Sequence, residues 1–124
     1  MNDRGTVVEG NFAKRTSSDD PDEYQAFCFG RVGVKPQLTL LVRKATGDVE
    51  GFPYADFSGV SATDENTGFT VRFGTRTVRV EGRNLQRLFH YLCNYRAAEI
   101  IETDERTAMQ LANGQAVVWQ VCIT

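Results

Sequence analysis

Apolar positions along this chain follow two different periods that meet between Gly68 and Cys93, GFTVRFGTRTVRVEGRNLQRLFHYLC. Phe69, Val71 and Phe73 alternate with Thr70 and Arg72, and Val78 and Val80 alternate with Thr77, Arg79 and Glu81, the two-residue period of strands with one apolar face. A turn at Gly74-Thr75 sets Phe69 opposite Val80 and Val71 opposite Val78, so the bulky side chains of both runs share one side. Beyond Gly82 the period changes. Leu85, Leu88, Phe89, Leu92 and Cys93 follow i, i+3, i+4, i+7, i+8, the stripe of a helix laid on a core. The expectation is a β-hairpin feeding an amphipathic helix over about 84–96.

The remaining pattern is mostly strand-like. A first strand is expected within Thr6–Ala13, and Lys14–Glu23, KRTSSDDPDE, reads as a loop. Tyr24–Val34, YQAFCFGRVGV, has no polar face and reads as one strand covered on both sides or lying at an interface. Leu38–Ala45 is a further strand closed by a turn at Thr46-Gly47-Asp48, and Phe52, Tyr54, Phe57 and Val60 anchor short pieces broken by Gly51, Pro53 and Gly59. After the helix come a short strand over 98–102, placed parallel to 76–81 by a helical crossover, and a second helix over about 104–112. Asp104 caps that helix and Asn113-Gly114 ends it; the alternative is a hairpin with Asn113-Gly114 as its turn. The last run, QAVVWQVCIT, reads as an interior strand alternating Val117, Trp119, Val121 and Ile123 against Val118, Gln120 and Cys122.

These elements define one α+β domain over residues 1–124: a bent, mostly antiparallel sheet packed by one main helix, with a second short helix and a C-terminal strand. Hydrophobic residues at 41% and charged residues at 24% are ordinary for a folded domain, and no apolar run is long enough to span a membrane. The opening MNDRGTVVEG lacks the apolar core of a signal peptide, so the expected compartment is the cytoplasm. Cys28, Cys93 and Cys122 lie in apolar runs and read as buried small hydrophobes; with His90 the lone histidine, neither a metal nor any other cofactor is expected.

The net charge of −2 is unevenly spread. Arg72, Arg76, Arg79, Arg83, Arg87 and Arg96 crowd the hairpin and helix, whereas Asp19, Asp20, Asp22 and Glu23 crowd the early loop. An anion or nucleic-acid site on the arginines requires them to share one face, yet Arg72 and Arg79 should leave the sheet's outer side and Arg83 and Arg87 the helix's polar side. The overall charge also argues against nucleic acid. Tyr91 and Tyr95, four apart on the helix, form a candidate contact surface with these arginines, and Tyr54, Asp56 and Trp119 are further pocket candidates. An enzyme would need His90 to converge with Tyr54, Asp56 or Cys93. Cys93 itself should have a raised thiol pKa because of its apolar setting.

The order LTLLVRKATGDVEGFPYADFSGV, GFTVRFGTRTVRV and RNLQRLFHYLC resembles the small bacterial pleckstrin-homology-like domains. In these a strand, a glycine turn, an I-P-Y-x-D-I-x-x-V kind of segment, a hairpin and a closing helix recur, and FPYADFSGV stands in the place of that segment. The resemblance covers Leu38–Cys93 and implies a scaffold that presents a surface to a protein partner. The K-x-[KR]-x-R element that would imply phosphoinositide binding is missing around Arg31, Lys35 and Arg43. The expected role is a non-catalytic interaction or small-ligand-binding module. Homodimerisation is an added expectation because Tyr24–Arg31 looks apolar on both faces.

Overall fold

The computed structural model describes residues 24–124. The first strand expected within 6–13 and the acidic loop 14–23 lie outside them. The described chain runs β1 (Tyr24–Phe27), β2 (Gly30–Gly33), β3 (Thr39–Arg43), β4 (Val49–Pro53), a 3₁₀ turn (Tyr54–Asp56), β5 (Phe57–Ser61), β6 (Gly68–Phe73), β7 (Arg76–Arg83), α1 (Gln86–Cys93), β8 (Ala97–Ile101), α2 (Glu105–Met109) and β9 (Val117–Ile123). The strands divide into two sheets, in the orders β1-β2-β8-β3-β4 and β5-β6-β7-β9. All neighbours are antiparallel except β3 and β8. The α+β class and the C-terminal strand hold as read. Among the described residues, no helix is long and apolar enough to cross a membrane.

The hairpin β6–β7 has the expected register, with Phe69 opposite Val80, Val71 opposite Val78, and Phe73 opposite Arg76 across the turn. Its inner face and the inner face of the other sheet close over one core that includes Leu40, Val42, Phe52, Phe69, Val71, Val78, Val80 and Ile100. Helix α1 covers this core with Leu88 and Leu92 fully buried, Leu85 buried at its entry, and Phe89 edge-on to Phe69 at 5.9 Å between ring centroids. Burying each leucine contributes about 1.5–3 kcal/mol, so tertiary burial rather than intrinsic propensity holds the helix.

Five expectations are corrected. First, Tyr24–Val34 is a tight hairpin, not one strand, because Cys28-Phe29 turns the chain and Gly30 takes φ +142. A Cβ there would run into the Glu99 backbone carbonyl. The two apolar faces therefore belong to two strands, and β1 lies at the edge of its sheet. Second, the parallel partner of β8 is β3, because β9 occupies the free side of β7 and α1 carries the chain to the other sheet. Third, α1 is shorter than 84–96. Asn84 before it and Tyr95 after it both have positive φ, and Arg96 N donates to Tyr91 O at 2.8 Å, closing the helix in a Schellman turn. Fourth, Cys28 is half-buried, and Cys93 and Cys122 are exposed; all three are free. Fifth, among the described strands β9 is the outer one of its sheet rather than an interior one.

The second helix also differs in length, covering Glu105–Met109 of the expected 104–112, with Asp104 capping Thr107 N at 3.0 Å. Its end tightens, with Gln110 N donating to Thr107 O and Leu111 N to Ala108 O, and the carbonyls beyond are taken by side chains: Leu111 O and Ala112 O accept from Arg83, and Asn113 O from Asn84. Segment 110–115 is thereby tied to the end of β7.

One carboxylate joins the two sheets. Glu102, just past β8, accepts from Ala45 N at 2.8 Å and from Val121 N at 2.7 Å, while Lys44 Nζ donates to Val121 O at 2.6 Å. Thr103 N donates to Val118 O at 2.8 Å, and Glu102 pairs with Val118 in a single parallel bridge. Val121 N and O and Val118 O of β9 thus find partners without another strand. Glu102→Ala should cost about 1–3 kcal/mol in urea unfolding, because two backbone donors lose their acceptor, and Glu102→Gln should cost less, since the amide keeps one acceptor oxygen. Equal stability of all three proteins would show that the seam is not held this way.

Tyr54 is buried and donates its hydroxyl to Ala97 O at 2.6 Å. Burial pushes its pKa far above the usual 10.0 of tyrosine. The unfolded chain ionises at the usual value and the folded chain does not, so the stability Tyr54 contributes is intact below about pH 10 and declines as the pH rises beyond it. Tyr54→Phe should lose about 1 kcal/mol at neutral pH and flatten this alkaline decline, as read by chemical denaturation at pH 8 to 11.

Candidate groove on the outer sheet face

The alternation that buries Val78 and Val80 sends Arg79 and Glu81 to the outer face of the second sheet, and the same parity sends Thr70 and Arg72 outward from β6. Strand β9 departs from simple alternation. Glu81 is opposite Gln120 and Gly82 is opposite Val118, which leaves Trp119 without a partner, a β-bulge. The bulge changes the parity of the strand. Trp119 therefore does not share the face of Val121, as simple alternation predicts, but lines a groove on the outer side of the sheet. Val118 moves into the central core, and Val117 is buried outside it.

Gly82 permits this arrangement because a Cβ at that position would meet the Val117 carbonyl oxygen. The groove has a volume of about 830 Å³ and is open to solvent. Its walls combine the loop at Ser61–Asp64 with Thr70, Arg79, Glu81, Arg83 and Trp119. Asp64 shapes the loop, since its carbonyl accepts from Thr67 N and Gly68 N and its carboxylate accepts from Asn66 N at 3.0 Å. The resulting surface offers one aromatic face, hydroxyls and both signs of charge.

The candidate binding residues do not converge as one cluster. Arg79 lies near Glu81, with 3.5 Å between Nε and Oε2, and lines the groove. Arg72 donates to Ser61 Oγ at 3.3 Å on the same sheet face. Arg83 also lines the groove, but from the end of β7 rather than from the helix, and its guanidinium donates to the carbonyls of Leu111, Ala112 and Gln115. Arg87, on α1, is stacked over Phe27 and lines a separate crevice with Cys28, Asn84 and Gln115. Arg76 turns inward over Phe52 and pairs with Glu50 at 2.6 Å. Five arginines on one face are therefore not what the fold presents.

The tyrosines are occupied with aromatic neighbours. Tyr91 packs against Phe27 and under Arg96. Tyr95 stacks on Tyr54 at 4.9 Å and meets Phe57 edge-on. His90 is exposed, with Nε2 3.8 Å from Glu65 Oε1, whereas Tyr54 is inside and bound to Ala97; neither lines the groove. The Cys93 thiol is raised by desolvation and then by nearby Glu65, the direction expected from sequence even though its side chain is exposed. Among the described residues, no group of three His, Cys, Asp or Glu side chains is placed to hold a metal ion.

Sequence reading named Trp119 but put it on the face of Val121, which the bulge corrects, and it missed Ser61, Asp64 and Thr70 as groove residues. The available signal was Gly82 opposite an apolar strand, a position where glycine often marks a bulge. No protein-family model, curated protein or solved structure matches the chain. Arg83→Ala should free the 110–115 segment at a cost of about 1.5–3 kcal/mol, with faster amide exchange confined to that segment and the end of β7. Unchanged exchange there would mean that the three carbonyl contacts carry no load.

Proposed function

We propose that the protein is a non-catalytic binding module that takes a small polar ligand in the groove beside Trp119. The observation that carries this reading is the bulge in β9, which puts a large aromatic ring on the solvent side of a sheet next to a charged pair. A groove of about 830 Å³ lies in the size range of small-molecule sites, and its mostly polar lining residues beside the Trp119 ring suit a polar ligand. Trp119 offers a flat face for stacking. Arg79 and Asp64 offer a donor and an acceptor in the same groove.

Trp119 is the chain's single tryptophan, so its emission reports on the groove directly. A panel of small polar fragments should contain binders that both raise the melting temperature and change Trp119 emission, with both responses lost in Arg79→Ala. Binders that leave the emission unchanged and survive that substitution would place the ligand elsewhere and sink the reading.

A protein partner or a second copy of the chain is the second reading. It is favoured by β1, whose outer edge has no sheet partner among the described residues, and by the exposed apolar side chains of Val34 and Leu38 in the following loop. The resemblance of Leu38–Cys93 to pleckstrin-homology-like scaffolds agrees with that use.

A further inference from the structure

We propose a second binding site, on the outer face of the five-stranded sheet, that recognises a phosphoryl group through Arg31 and Arg43. It is separate from the groove at Trp119 and independent of that reading. Glu99 lies on β8, the central strand, and is the one buried charged residue described. Its two carboxylate oxygens are divided between neighbouring strands: Arg31 on β2 donates Nε to Oε1 and Arg43 on β3 donates Nε to Oε2, each at 3.0 Å. Two guanidinium groups are thus held side by side by one carboxylate.

The charges do not cancel. Among the described residues, the two arginines and Glu99 sum to one net positive charge, and the arginine side chains are 44% and 47% exposed against 8% for Glu99. Each guanidinium bonds Glu99 through Nε, and among the described residues its terminal nitrogens have no further acceptor. Those terminal N–H groups remain to bind an incoming anion. Arg31 is also stacked over the Tyr24 ring, with Cζ 5.0 Å from the centroid, which restricts its guanidinium before any ligand arrives. The ion pair and the stack together pre-order both side chains, reducing the entropy lost on binding.

The pairing favours a phosphoryl group over a carboxylate. A phosphoryl group carries up to two negative charges and three oxygens in a tetrahedral array, so it can take terminal donors from both guanidinium groups at once more readily than the two coplanar oxygens of a singly charged carboxylate. Glu99 positions the pair and also limits its charge, so the face selects by geometry more than by bulk attraction.

The test is an NMR titration of the arginine Nε–Hε resonances of the full chain with inorganic phosphate, and separately with pyrophosphate, at low ionic strength. Both ions should shift Arg31 and Arg43 together and saturably while Arg72 and Arg79 stay fixed, and acetate at equal ionic strength should do neither. The double variant Arg31→Lys with Arg43→Lys keeps the charge and removes the forks, and should weaken binding about tenfold or more. Both side chains are nearly half exposed, and retained Trp119 emission confirms that the variant is folded. Binding that survives in the lysine variant, equal shifts with acetate, shifts centred on Arg72 and Arg79, or no saturable response at millimolar phosphate would each overturn the proposal.

Discussion

The fold depends on the contact between Glu102 and the backbone of β9. Two sheets packed over a common core bring open edges together, and backbone groups near a core lose water without gaining partners unless something is placed there. Here the last residues of β8 do this. The Glu102 carboxylate takes one amide from each sheet, Ala45 N and Val121 N, and Lys44 supplies the matching donor to Val121 O. With Val121 N and O and Val118 O partnered on the side away from β7, β9 need not pair regularly along its whole length. It can carry the bulge that turns Trp119 outward. The seam and the groove are therefore consecutive effects of one arrangement.

Local burial made part of the fold legible in the sequence. The hairpin register of β6–β7 and the apolar stripe of α1 follow from alternation and from the 3.6-residue period, each dictated by which side faces the core. The features that escaped reading depend on a partner distant in the chain. The parity change at Trp119 requires Gly82 to be its neighbour across the ladder, and the turn at Cys28-Phe29 contains none of the usual turn residues. The parallel pairing of β3 with β8 has no local signature at all. Glu99 reads as one acid in an acidic stretch until the fold brings Arg31 and Arg43 to it across 68 and 56 residues.

Helix α1 shows how local and distant requirements combine. Both flanking residues, Asn84 at φ 56 and Tyr95 at φ 62, occupy the left-handed region without being glycine. Asparagine tolerates that conformation, and here its amide also binds Asn113 O and Gln115 O. Tyrosine is a poorer occupant of the helix-ending position, costing about 1 kcal/mol relative to glycine. Its ring offsets this by stacking on Tyr54 and meeting Phe57. The helix therefore ends where an aromatic contact is available, through Tyr95 two residues before β8 begins.

Glu99 and Glu102 lie three residues apart and show why two carboxylates in one segment have different meanings. Glu102 accepts from backbone amides that would otherwise lack partners, so its role is complete within the fold. Glu99 accepts hydrogen bonds from arginine side chains alone. Its neighbours on β2 and β3 pair with β8 through their backbones whatever side chain stands there, and an apolar residue of similar size would fill the position without desolvating a charge. Sheet stability alone does not account for an acid at that point. What Glu99 adds is the placement of two half-exposed guanidinium groups, Arg31 beside Tyr24 and Arg43 on the strand at the other side of β8. A buried charge whose partners are themselves half exposed stabilises little, but it fixes where those partners stand, and fixed partners are what an anion needs.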